Sequence, residues 1–268
     1  MTEAALELNY VWLPLIGFVV GLIATMVGGN GAFFFPPALI LLFQVPPKVA
    51  IATSLAAVIP MGLMGSIEHY RRGHINLPVG VVFGAAGMLG ALSGAWLSSI
   101  LNTDTLLLAF SIYLVALGIF TLIAPKSKPG EQLKPPGTFG ELNTKNLLLI
   151  VTVGITAGIV AGLFGTSGTA PVLAGMLMLR LPVMQVIGTS VLVVFINAVA
   201  GFSGHLFLGE FDLQLILLLG SGATVGAFIG PRLLSNFRPK KKEGKFRFIM
   251  GLLLIVVGLA LAITWTNQ

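Results

Sequence analysis

Apolar runs separated by short polar joints recur along the whole chain. They fall at about 10–27, 32–43, 49–67, 77–100, 105–124, 146–164, 169–181, 183–206, 213–235 and 247–265. Most are long enough for a helix to cross the roughly 30 Å of bilayer hydrocarbon. The run 32–43 is not, since its 12 residues make only about 18 Å of helix, and 169–181 is nearly as short. Both short runs follow a polar, glycine-rich break, Gly28–Gly31 and Gly165–Gly168. The pattern predicts an all-α integral membrane protein of about ten transmembrane segments.

The segments divide into two sets of five, related by repeat. Displaced by 136 residues, Val45–Leu97 lies on Leu181–Leu233 without a gap. Pro46 meets Pro182, Thr53 and Ser54 meet Thr189 and Ser190, Gly65 meets Gly201, and His69 meets His205. With one residue of slip, "GGNG" meets "GTSG". The expected organisation is a first transmembrane repeat over 1–124, a cytoplasmic Pro/Gly/Lys-rich linker over 125–145 and a second repeat over 146–268.

Loop charge sets the orientation. The basic loops are 71–74, the linker and "RPKKKEGKFR" at 238–247, whereas their repeat counterparts are neutral or acidic. Ten passages place all three basic loops on one side, with Asp104, Glu210, Asp212 and both termini opposite. Eight passages would scatter them. The positive-inside rule thus favours inverted five-segment repeats with both termini outside. The two glycine breaks then enter from opposite faces, with their short helices expected to meet near the midplane.

Composition sharpens this reading. With 56% hydrophobic and 9% charged residues, the chain lies far from the roughly 25% charge of a soluble domain, and no polar stretch is long enough to bury a core of its own. The first run follows Glu3 and Glu7 rather than a basic region, so it reads as a retained helix and not a signal peptide. The net charge of +6 resides in loops, which fits membrane orientation rather than nucleic acid. There is no cysteine, Walker sequence, HExxH or credible Ser-His-Asp set, so an enzyme, a metal centre and a bound cofactor are not expected. No Asp or Glu lies deep in a segment, which argues against a metal-cation carrier.

The candidate chemistry therefore rests on neutral groups. Irregular backbone at membrane depth is tolerated where protein or a water-filled cavity surrounds it. A helix starting just after each break turns free N–H groups and its positive dipole end toward the break. Gly28, Gly29, Asn30 and Gly31, with Gly165, Thr166, Ser167, Gly168 and Thr169, form two candidate anion cradles, although the same glycines would also serve a tight helical hairpin. Thr53, Ser54, Thr189 and Ser190 follow the short helices as further donors or as helix-packing hydroxyls. Asn197, alone in an apolar helix, is either helix glue or a substrate contact. His69 and His205 are candidates for gating or proton coupling. Glu68 is expected to pair with Arg71 or Arg72, and Arg180 and Arg232 to snorkel. Small-residue spacing at Gly80, Gly84, Gly87, Gly90 and Gly94 suits close helix packing.

The two stretches "VGGNGAFFFPPALILL…VPPKVAIATSLAAV" and "FGTSGTAPVLAGMLML…LPVMQVIGTSVLVV" resemble the sulfite exporter TauE/SafE family of bacteria and archaea. The resemblance implies a multi-pass cell-membrane transporter for sulfite, organosulfonates or related anions. It departs at the turns, because the family pattern of three glycines and a later proline becomes Gly-Gly-Asn-Gly here, then Gly-Thr-Ser-Gly. The expected partners are a small anion and the lipid bilayer. A homodimer would suit the glycine-rich apolar faces. Two rivals stay open: a passive anion channel, and a non-transport membrane assembly or lipid-binding protein.

Overall fold

The computed structural model describes residues 10–26, 32–123, 144–166, 168–179, 181–207, 211–234 and 243–266. Every regular element among them is helical: α1 Leu13–Met26, a 3-10 turn Ala32–Phe34, α2 Phe35–Phe43, α3 Pro47–Arg71, α4 Leu77–Ile100, α5 Thr103–Ile123, α6 Thr144–Phe164, α7 Thr169–Met178, α8 Val183–Leu206, α9 Leu213–Leu234 and α10 Glu243–Thr266. Among the described residues, six helices, α3, α4, α5, α6, α8 and α9, are long and apolar enough to cross a membrane. The chain is an all-α multi-pass membrane protein. Most of the expected linker, 124–143, lies outside the described residues.

Proline and polar caps set the boundaries. Pro46 and Pro182 stand in extended backbone just before α3 and α8, at φ −53° and −55°, and proline favours the start of a helix because it has no N–H to leave unpaired. Gln44 ends α2 in the left-handed region, φ 54°, donating its N–H to the Leu39 carbonyl.

The helices form two compact units, and neither follows the repeat boundary. The larger holds α1–α4 and α6–α9. At its centre α3 and α8, which are repeat counterparts, run antiparallel: Gly65 meets Val191, Gly62 meets Phe195 and Leu55 meets Gly201. Around this pair the halves interlock. α1 packs on α9, and α6 packs on α4. Both of these pairs are parallel, since Gly222 meets Pro14 and Gly226 meets Phe18, while Gly90 meets Ile155 and Gly94 meets Ile159. At Gly158 and Gly162 of α6, as at Gly222 and Gly226 of α9, the backbone of the neighbouring helix occupies the place of a side chain. In lipid, where apolar burial drives little association, such backbone approach supplies the dispersion contact that holds helices together.

The smaller unit is the pair α5 and α10. These repeat counterparts also run antiparallel, with Gly118 against Gly251 and Ser111 against Gly258. Wherever repeat counterparts among the long helices meet within a unit, they point opposite ways. Apolar side chains such as Leu89, Trp96, Leu148 and Leu217 are exposed, as befits faces turned to lipid.

Candidate functional site

The second glycine break is the more fully described of the two. α6 ends at Phe164, and Gly165 turns the chain at φ +66°. Its backbone lies against α3, where a Cβ would sit 2.6 Å from the Ile51 carbonyl oxygen. Only glycine meets both demands, the left-handed backbone and the missing space. Gly168, at φ +58°, then opens α7, and no side chain caps its first turn. Thr166 and Thr169 are buried on either side. Thr166 Oγ1 donates to the Val160 carbonyl at 3.4 Å. α7 itself is fixed by a cluster in which Val172 and Met176 pack with Phe83, Ile150 and Val193.

One helical turn beyond Ile51, Ser54 is fully buried, and its hydroxyl has no hydrogen-bond partner. An unpaired hydroxyl in such a place carries a desolvation cost of about 1–3 kcal/mol. Its counterpart Ser190 is bonded back to the Ile187 carbonyl at 2.8 Å. The second break thus combines a helix start that no side chain caps, buried threonines and, on the neighbouring helix, an unpaired donor.

Gly28, Gly29, Asn30 and Gly31 lie outside the described residues, as do Ser167 and Arg180. What leads into the first break is described, and it matches the second. His69 Nε2–H donates to the Thr25 carbonyl at 2.9 Å, and His205 Nε2–H donates to the Gly162 carbonyl at 2.9 Å. Each histidine ties the C-terminal end of its repeat's first helix to its third. These are positioning bonds, satisfying carbonyls that a helix end leaves orphaned. The described ends of α1 and α6 take separate levels, and the first break, expected to meet the second near the midplane, lies outside the described residues. Thr25 is held beside His69 and Gly165 beside Ile51, about 27 Å apart along α3 at ~1.5 Å per residue.

The remaining candidates do not all gather at the breaks. Thr189 Oγ1 accepts the Asn76 N–H at 2.9 Å, and Thr53 Oγ1 accepts the Asp212 N–H at 3.4 Å. Asn76 and Asp212 are themselves helix caps. Asn76 Oδ1 accepts the Val79 N–H, and Asp212 Oδ1 accepts those of Gln214 and Leu215. Each threonine thereby binds the start of a helix from the other half. Asn197 stands mid-helix in α8, fully buried, with neither amide atom paired, in space left by Gly87 of α4.

Asn76 and Asp212 escaped the sequence reading. They are capping residue types before apolar runs, set 136 apart, and that repeat spacing was the available signal. Glu68 forms the expected ion pairs with Arg71 and Arg72 and a stronger one that its sequence neighbours did not suggest. Arg232 of α9 grips it with two bonds, 3.0 and 3.3 Å, while Arg71 and Arg72 stand at 3.8 Å. Arg232 also covers the Phe228 ring at 3.5 Å. Sequence distance hid this pair. In the loop after α3, His74 places Nδ1 3.4 Å from Nδ1 of His69. Burial, and then the charge of Arg72, holds the His74 imidazole pKa below the usual 6.5.

Comparison with known proteins identifies the family. The family model for the sulfite exporter TauE/SafE family matches residues 13–261. The chain belongs to that family. It is similar to the probable membrane transporter protein YdhB of Bacillus subtilis, 31% identical over 84% of this chain and 90% of that protein. It is also similar to the probable membrane transporter protein YunE of the same organism, 26% identical over 94% and 96% of the two chains. An archaeal relative, the probable membrane transporter protein MJ0441 of Methanocaldococcus jannaschii, is 22% identical over 92% and 93%. The family is one of membrane transporters, not enzymes.

Proposed function

We propose that the chain carries small sulfur-containing anions, sulfite or organosulfonates, out across the cell membrane by alternating access, with both termini outside. The observation that carries this reading is the buried, unpaired Ser54 hydroxyl one turn from the uncapped glycine break at Gly165–Gly168. A sulfite or sulfonate head offers three oxygens to convergent N–H and O–H donors. Helix N-termini hold such a group without a buried cation, and neutral donors favour release. The antiparallel arrangement of α3 with α8, and of α5 with α10, supports the exchange of roles between repeats that alternating access uses.

Thermal unfolding of the purified protein in detergent, with sulfite, ethanesulfonate, sulfate and a neutral solute, tests the site. Sulfite or ethanesulfonate should raise the Tm of the wild type. Ser54→Ala should raise the ligand-free Tm, since it removes a buried hydroxyl that bonds nothing, and should lose most of the anion-dependent rise. Equal stabilisation of both proteins, or none by any anion, would overturn the assignment.

A further inference from the structure

An open groove of about 660 Å³ runs along the outer side of α3 and α9, lined by Ala56, Pro60, Phe202, Phe211, Leu217 and Gly220 among others. Its walls present carbon. The two hydroxyls on it, Ser221 and Thr224, are turned back onto the carbonyls of Leu218 and Gly220 in their own helix. It spans Leu213 to Val225 of α9, about 18 Å at ~1.5 Å per residue. One leaflet of hydrocarbon is about 15 Å deep, half of the ~30 Å core. Phe202 and Phe211, edge to face at 5.7 Å, stand at the end where α9 begins.

The repeat shows what fills such a groove. The counterparts of Ala56, Pro60 and Gly220 are Leu192, Ile196 and Gly84. There the cleft is closed: Ile196 lies on Gly84, and Leu192 lies on the neighbouring Gly80. In the open copy, a Cβ at Gly220 would meet nothing nearer than Ala57 Cα at 3.6 Å and Pro60 Cγ at 3.7 Å. The groove is therefore the same cleft with its branched aliphatic filling removed. What fits it is saturated carbon one leaflet long, and in a bilayer that is an acyl chain.

We infer that this groove is a lipid site, holding one phospholipid acyl chain in the leaflet where α9 begins. The filling that α8 supplies to its own cleft is supplied here by the membrane. Gly220→Leu places a side chain in the groove without a backbone clash, and Ala56→Leu restores the residue of the other copy. Ile196→Ala opens the closed copy.

Native mass spectrometry of the purified full chain, after exchange from phospholipid-containing micelles into lipid-free detergent, counts retained phospholipid. Size-exclusion profile and Tm verify folding of each variant. Wild type should keep one phospholipid per chain, and Gly220→Leu should lose at least nine-tenths of it, as should Ala56→Leu. Ile196→Ala should retain more than wild type. No retained lipid in wild type, or equal retention in wild type and both filled variants, would overturn the inference. So would a lipid-free wild-type dimer that both filled variants convert to monomer, because the occupant would then be a second copy of the chain.

Discussion

The cleft between α3 and α9 and the cleft between α4 and α8 come from one repeated unit, yet they have diverged selectively. Their polar anchors are the same. Thr53 and Thr189 hold the start of a helix from the other half, and His69 and His205 hold the end of their own first helix. Their fillings differ: Ala56 and Pro60 on one side, Leu192 and Ile196 on the other. So do their hydroxyls, Ser54 unpaired and Ser190 bonded to its own helix. The anchors keep backbone groups satisfied in both copies, a demand that membrane depth imposes on each alike. Side chains that meet no such demand are where the two halves separate.

The largest effect is expected at the second break. Gly165→Leu combines left-handed strain with a collision against the Ile51 backbone, and should cost about 2–5 kcal/mol, read as loss of folded protein in thermal unfolding. Tm unchanged there would mean that the turn can re-form without its glycine. Next come the histidine anchors. His69→Phe and His205→Phe keep a ring of similar size but leave the Thr25 or Gly162 carbonyl unpaired, at about 1–3 kcal/mol each. Similar losses in both would sustain the equivalence of the anchors, and a loss in only one would break it.

The clefts can then be compared directly. Gly84→Leu must displace Ile196 and should cost about 1–3 kcal/mol, whereas Gly220→Leu has room and gains about 0.8–1 kcal/mol of helix propensity. Equal Tm changes would show the two clefts to be alike after all. Smaller still, Thr189→Val should cost about 1 kcal/mol and Thr53→Val less, following their bond lengths of 2.9 and 3.4 Å.

The smallest effect belongs to His74, which has no histidine counterpart in the second repeat. Its folded pKa lies below 6.5, so the unfolded chain takes up the proton first. Stability should therefore fall as pH drops from about 6.5 toward the folded pKa. His74→Gln should flatten that part of a Tm-against-pH curve. An identical slope in the variant would place the titrating group elsewhere.

Much of the fold was legible because membrane helices announce themselves. Long apolar runs, two short ones, and repeated Pro46 and Pro182 located the helices to within a few residues. The repeat also identified the histidines and threonines that matter, though not their duties. Thr53 and Thr189 read as ligand donors or as helix-packing hydroxyls, and each accepts a backbone N–H group across the interlock. Glu68 read as a partner of its neighbours, and its strong bond goes to Arg232.

The sequence by itself determined helix positions, the twofold repeat, the glycine breaks and the family. All of these depend on local chemistry: apolar length, missing side chains and proline geometry. Only the tertiary structure decided which helices pair, and hence the rest. Interlocking α1 with α9 and α4 with α6 leaves the helix ends at separate levels of α3, leaves Ser54 without a partner, and leaves one of two equivalent clefts unfilled. Those outcomes depend on which residues of distant helices come within a few ångströms of one another. That is a property of packing, not of any single stretch of chain.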